Sequence, residues 1–310
     1  MKFNLLFIIC CLWNPIFGQE SSFTVKEITI NEFVDGTLLI PTNSEKPNLA
    51  IIIAGSGPTD RNGNQNMLKN NSLKKLAEGL SSKEIATFRY DKRIVKQIRK
   101  GNVDMNIRFD DFITDAISAF NFFKNSNAFN QIYVIGHSQG SLVGIIAAKE
   151  GADGFISLAG AGKSIDEVII EQVTNTAPMF TKDTKRVFSI LRDGKTTTDF
   201  PQALISIFNL EVQPFMMSWM AYNPQKEISN LEIPILIING TKDLQVSEDE
   251  ANLLHTANSN ATLSIIENMN HILVPIAGDT LENSKSYNES QRIISEKLIQ
   301  SIITFVNNHK

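Results

Sequence analysis

Gly136-His137-Ser138-Gln139-Gly140 is the segment whose residue types could do covalent chemistry. A serine hydroxyl becomes a nucleophile when a base takes its proton and a third group orients that base. Glycines two residues either side of a serine suit a tight strand-to-helix turn, where larger side chains would collide. Ile132-Tyr133-Val134-Ile135 lead in as a short strand, and a helix rich in small residues (Gly140, Gly144, Ala147, Ala148) leads out. Ser138 then stands at the positive end of a helix, where backbone N–H groups can hold a developing oxyanion. The chemistry this implies is acyl transfer.

Four histidines could serve as the base. His309 lies in the terminal tail, His255 falls late in a polar helix, and His137 is locked into the serine turn, facing away from Ser138. His271 follows the last expected strand, in Asn268-Met269-Asn270-His271, and is assigned as the base. Asn239-Gly240-Thr241-Lys242-Asp243 follows the strand Ile235–Ile238, and catalytic groups gather at such strand ends in open α/β sheets. Asp243 is therefore the acid that orients the imidazole, whereas Glu248 and Asp249 read as first-turn acids of a helix. The oxyanion donors are expected to be the N–H groups of Ser56, on the loop after the strand Leu49–Ile53, and of Gln139.

The elements that must position these residues alternate. An antiparallel hairpin is expected from 23–30 and 37–41, with Asp35-Gly36 as its turn. Leu49–Ile53 is apolar throughout, as in a strand buried on both faces. Helix, strand and helix follow, and Phe109, Phe112, Ile113, Ala116, Ile117, Phe120 and Phe123 recur at helical spacing over four turns. Strands at 132–135, 155–158, 235–238 and 262–266 alternate with helices. The fold class is α/β, a mostly parallel sheet with helices on both faces.

The alternation breaks near 163–228, which reads as an inserted helical cap within one domain spanning 19–310. The apolar cluster Phe215, Met216, Met217 and Trp219 in that cap is expected to line a substrate pocket. Lys2, the apolar stretch Leu5–Trp13 and Pro15-Ile16-Phe17-Gly18 form the three-part pattern of a signal peptide, residues 1–18. The expectation is export to the periplasm or beyond. Both cysteines, Cys10 and Cys11, fall in that segment, so the cleaved chain would have no disulfide.

The 310 residues are 42% hydrophobic and 20% charged, with a formal charge of −4. No basic stripe suits nucleic acid, and Lys92-Arg93 through Arg99-Lys100 reads as a solvated helix face. No His/Cys cluster suits a metal, and no cofactor is expected. Ser72-Leu73-Lys74-Lys75 matches S-x-x-K but has neither S-D-N nor K-T-G to complete it.

The order serine, acid, histidine and these spacings resemble the α/β-hydrolase superfamily. Gly55-Ser56-Gly57-Pro58-Thr59-Asp60-Arg61-Asn62-Gly63-Asn64, Phe88-Arg89-Tyr90-Asp91-Lys92-Arg93 and Asn239-Gly240-Thr241-Lys242-Asp243-Leu244-Gln245-Val246 look more closely like a bacterial carboxylesterase group with a G-S-G-P-x-D-R-x-G-N loop. The likeness spans roughly 23–305 and implies ester hydrolysis through an acyl-enzyme, with a small-molecule ester as the expected partner. Ala54 and Ile94 depart from the pattern, standing where a histidine and a glycine are usual. The same three catalytic residues would also serve an acyltransferase, a thioesterase or a peptidase. Asp60, Arg61, Arg89 and Asp91 are expected to form an ion-pair network beneath the site.

Overall fold

The structure, a computed structural model, describes residues 22–309. The expected signal segment, 1–18, lies outside the described residues. β1 (Phe23–Thr29) and β2 (Asp35–Pro41) form the antiparallel hairpin, with Thr29 opposite Asp35. The reversal precedes Asp35-Gly36 instead of using it. Asn31 Oδ1 accepts from the N–H groups of Phe33 and Val34, both at 2.9 Å, which closes the chain one step earlier.

β3 (Asn48–Ile53), α1 (Ser72–Ser81), β4 (Ile85–Tyr90), α2 (Arg93–Lys100), α3 (Phe109–Ser126), β5 (Ile132–His137), α4 (Gln139–Ala148) and β6 (Gly154–Leu158) follow. Between β6 and the next strand the chain forms α5 (Ile165–Thr176), α6 (Thr181–Arg192), the short α7 (Ile205–Phe208), α8 (Gln213–Met220) and α9 (Pro224–Ser229). β7 (Ile235–Gly240), α10 (Glu248–Ala257), β8 (Thr262–Ile266), α11 (Thr280–Ser286) and α12 (Glu296–Asn308) complete it.

The eight strands make one sheet in the order β1-β2-β4-β3-β5-β6-β7-β8. From β4 to β8 every pairing is parallel; only β2 runs against its neighbours. β3 shows why a continuous apolar run goes to the middle of such a sheet. Leu49, Ile51 and Ile53 join the core under α3 and α4, while Ala50, Ile52 and Ala54 join the core under α1 and α12. α3 sends Phe109, Phe112, Phe120 and Phe123 into the first core. Each is worth roughly 1.5–3 kcal/mol on burial, far above helix propensity differences, so packing holds this helix in place.

α5 begins at a capping box in which the Glu167 carboxylate accepts from the Ser164 N–H at 3.1 Å and from its hydroxyl at 2.9 Å. The helices between β6 and β7 have a core of their own, built on Val187, Phe188, Leu191, Leu204, Phe208 and Met216.

Candidate active site

The turn from β5 to α4 carries Ser138 at φ 55° and ψ −123°. That is a rarely populated conformation for a residue with a Cβ, costing on the order of 1–3 kcal/mol, and such strain collects at functional sites. The flanking glycines are required. A Cβ on Gly136 would lie 2.2 Å from the Gly140 carbonyl oxygen, and one on Gly140 would lie 2.5 Å from that of Ile53. The helix therefore starts hard against the end of β3. The Ser138 N–H donates to the Leu158 carbonyl at 2.8 Å, and the Ser138 carbonyl accepts from Ser141 at 2.8 Å. The Ser138 hydroxyl makes no hydrogen bond among the described residues.

β7 and β8 are parallel neighbours, so the loops at their carboxyl ends lie side by side. They bring Asp243 and His271 together: Nδ1 of His271 lies 2.8 Å from Oδ2 of Asp243, with side chains 5% and 0% exposed. The other carboxylate oxygen, Oδ1, accepts from the N–H groups of Gln245 at 2.7 Å and Val246 at 2.9 Å. With Nδ1 donating to the carboxylate, Nε2 of His271 is left as the acceptor.

His137, read from the sequence as facing away, packs its ring 4.9 Å from that of His271. Its Nε2 meets the His271 carbonyl oxygen at 2.8 Å, which makes Nε2 the donor. Burial, with the neighbouring His271 second, pushes its pKa down to about 4, so it stays neutral and pins the loop that holds the base. A sequence offers no signal for this role. Asn270 adds to the hold by donating to Asn283 Oδ1 and Ser286 Oγ, both at 2.9 Å.

The loop after β3 reaches the serine: a Cβ on Gly55 would lie 3.2 Å from Cβ of Ser138. Among the described residues, neither the Ser56 nor the Gln139 backbone N–H donates a hydrogen bond. Arg61 ties the far end of this loop to the sheet, donating to Glu27 at 2.6 Å, Asp35 at 2.5 Å and Asp91 at 2.9 Å. Burial works to raise the Asp91 carboxyl, but hydrogen bonds from Arg61 and Arg99 hold it below the usual carboxylate range. Asp60 and Arg89 stand outside this network. Asp60 Oδ1 closes its own turn by accepting from the N–H groups of Asn62 and Asn64, and Arg89 Nε reaches only Asn62 at 3.4 Å.

Two cavities meet at Ser138. One, of about 270 Å³, reaches Ser138, His271, Ser56, Gln65, Gln245 and Tyr287. The other, of about 340 Å³, reaches Ser138, Ser56 and Gln139 and extends to Leu142, Ile165 and Trp219.

No protein-family model matches the chain. Esterase EstD of Thermotoga maritima is 26% identical over 290 residues, covering 91% of this chain and 68% of that protein. Est1E from Butyrivibrio proteoclasticus superposes with a TM-score of 0.56 at 16% identity, over 91% of this chain and 99% of that one. An alpha-beta serine hydrolase homologue from Coxiella burnetii gives 0.52 at 13%, over 91% and 96%. This chain has the α/β-hydrolase fold.

Two expectations need correcting. Of Phe215, Met216, Met217 and Trp219 on α8, only Trp219 lines a cavity at Ser138, with its ring stacked on Phe109 at 5.5 Å. Phe215 packs against Phe109 and Phe112, Met216 is buried in the core of the inserted helices, and the partly buried Met217 packs against that core. Consecutive residues of a helix face different ways, so Phe215, Met216 and Met217 cannot all point at one site. The solvated basic face is the second correction. Lys92 and Arg93 are buried, and the exposed cations of α2 are those of its last turn. No helix among the described residues is long and apolar enough to cross a membrane.

Proposed function

We propose that this α/β-hydrolase is an exported serine carboxylesterase acting on short to medium acyl esters through Ser138, His271 and Asp243. The observation that carries the reading is the sharing of one cavity by Ser138, on its strained turn, and the imidazole that Asp243 orients. His271 Nε2 takes the proton of Ser138 as its oxygen attacks the ester carbonyl. The tetrahedral oxyanion is stabilised by the N–H groups of Ser56 and Gln139. His271 then gives the proton to the departing alcohol, and water cleaves the acyl-enzyme by the same steps in reverse. The name of Esterase EstD supports this chemistry. Export rests on the charge and apolar pattern of residues 1–18.

The two cavities divide the substrate. A leaving alcohol must collect its proton from His271, so it belongs in the cavity that reaches His271. The acyl chain belongs in the other, which reaches Ser138 and both oxyanion donors and continues to Trp219. Among the described residues, no Asp, Glu, Lys or Arg lines the alcohol side. The Tyr287 hydroxyl is buried there beside Gln245 without a hydrogen bond of normal geometry, which suits a neutral alcohol bearing a further oxygen.

The test is a fluorophosphonate probe followed by peptide mapping, with a panel of acetyl to octanoyl esters, thioesters and peptides. Labelling at Ser138, lost in Ser138→Ala, with esters cleaved fastest, is the expected result. Labelling that survives Ser138→Ala, or turnover of thioesters or peptides well above esters, rejects it.

A further inference from the structure

Lys92 stands at the start of α2 with its ammonium inside the protein, where it has no part in the steps above. Nζ donates to the Gly55 carbonyl oxygen at 3.0 Å and to Oε1 of Gln139 at 2.8 Å, and it sits 4.2 Å from the centre of the Phe112 ring. No carboxylate forms an ion pair with it among the described residues. A buried amine without a counter-charge is expensive, and a methionine of similar length would fill the space at less cost. Its two hydrogen-bond partners belong to the two segments that carry the proposed oxyanion donors.

We infer that Lys92 is a positioning residue of the oxyanion site, orienting the Gly55–Ser56 peptide so that the Ser56 N–H faces Ser138. The inference rests on the esterase reading given above. The peptide bonds are trans, and in a trans peptide the C=O and the N–H point in opposite directions. Drawing the Gly55 carbonyl inward to Nζ therefore turns the Ser56 N–H outward, to the cavity that holds Ser138. Glycine is the residue whose flanking peptides rotate most freely, so this one needs an anchor. The second bond, to the Gln139 side chain, ties the same anchor to the first residue of α4. One ammonium thus sets the spacing between two donors that come from different strands. Burial lowers its pKa to about 7, yet both hydrogen bonds require only N–H groups, which the neutral amine retains.

The full-length protein and its Lys92→Met and Lys92→Gln variants are compared by kcat and KM on one acetyl ester, with a melting curve for each. An oxyanion exists only in the transition state, so Lys92→Met should lower kcat by about 10–100-fold with KM within about twofold. Its melting temperature should be no lower than that of the wild type. Lys92→Gln keeps an N–H donor and should fall between the two, and it carries the test should the methionine variant fail to fold. An unchanged kcat, or a loss that appears in KM alone, overturns the inference while leaving the esterase reading intact. A wild-type protein that cleaves no ester and takes no label at Ser138 overturns the esterase reading, and this inference with it.

Discussion

Lys92 and Arg93 are adjacent in the chain and both buried, yet their surroundings differ at every point. Arg93 forms a two-pronged pair with Asp115, Nε to Oδ2 at 2.8 Å and Nη2 to Oδ1 at 2.7 Å. It adds Asp111 Oδ1 at 2.7 Å and covers the Phe33 ring at 4.3 Å. Lys92 turns the other way, to a backbone carbonyl and an amide oxygen. Arg93 joins α2 to α3 and to the turn before β2; Lys92 joins the loop after β3 to α4. The lesson is that partners, and not charge or position in sequence, decide what a buried cation does. A carboxylate fork fixes helices, while two carbonyl-type oxygens fix the direction of a peptide.

The widest separation between the two should be in stability. Arg93→Met leaves Asp115, whose carboxyl burial already pushes up, without its counter-ion, and should cost about 3–5 kcal/mol by urea unfolding. Lys92→Met removes an unpaired amine and should cost little. Equal losses in the two variants would erase the distinction.

A double variant sharpens it. Arg93→Met with Asp115→Leu replaces the whole pair by apolar groups and should recover at least half of the single-variant loss, because the stranded charge is gone. A loss as large as that of Arg93→Met alone would mean that the fork contributes more than mutual compensation.

The last comparison concerns pH. Lys92 is surrounded by Phe112, Tyr90 and Gln139, and Asp115 lines the same small cavity with its carboxylate held by Arg93. Its folded pKa of about 7 lies below the unfolded 10.5, so between these values the unfolded chain binds the extra proton. Stability from this group therefore rises with pH across that window and is flat outside it. The wild type should gain on Lys92→Met between pH 7 and pH 10, measured as the difference in unfolding free energy. Arg93 stays protonated in both states and should give no such slope against Arg93→Met. A flat difference for Lys92→Met would show that its amine is not desolvated.

Much of the architecture was legible because two signals agree locally. A strand apolar on both faces and a helix with one apolar stripe differ in period, so the alternation around β3, α3 and β5 could be read directly. The side-by-side placing of the loops bearing Asp243 and His271 follows from parallel strands ending at one edge. What could not be read depends on contacts distant in sequence. Arg93 is buried because Asp111 and Asp115 on α3 meet it, and no local pattern in Lys92–Lys100 announces that. The α8 residues were over-read for a related reason. Composition marks Phe215, Met216, Met217 and Trp219 as apolar, but only the packed helix shows which face Ser138.

The meeting of two cavities at Ser138 has a kinetic consequence for the proposed mechanism. The alcohol occupies the side that reaches His271, so it can depart while the acyl group stays fixed on the Trp219 side. Release is then ordered, alcohol before acid, and the enzyme follows a ping-pong course in which the vacated space admits the second reactant. Water enters where the alcohol left, and a second alcohol would enter by the same door. The ratio of hydrolysis to acyl exchange is therefore set by which of the two fills that polar chamber during the life of the acyl-enzyme.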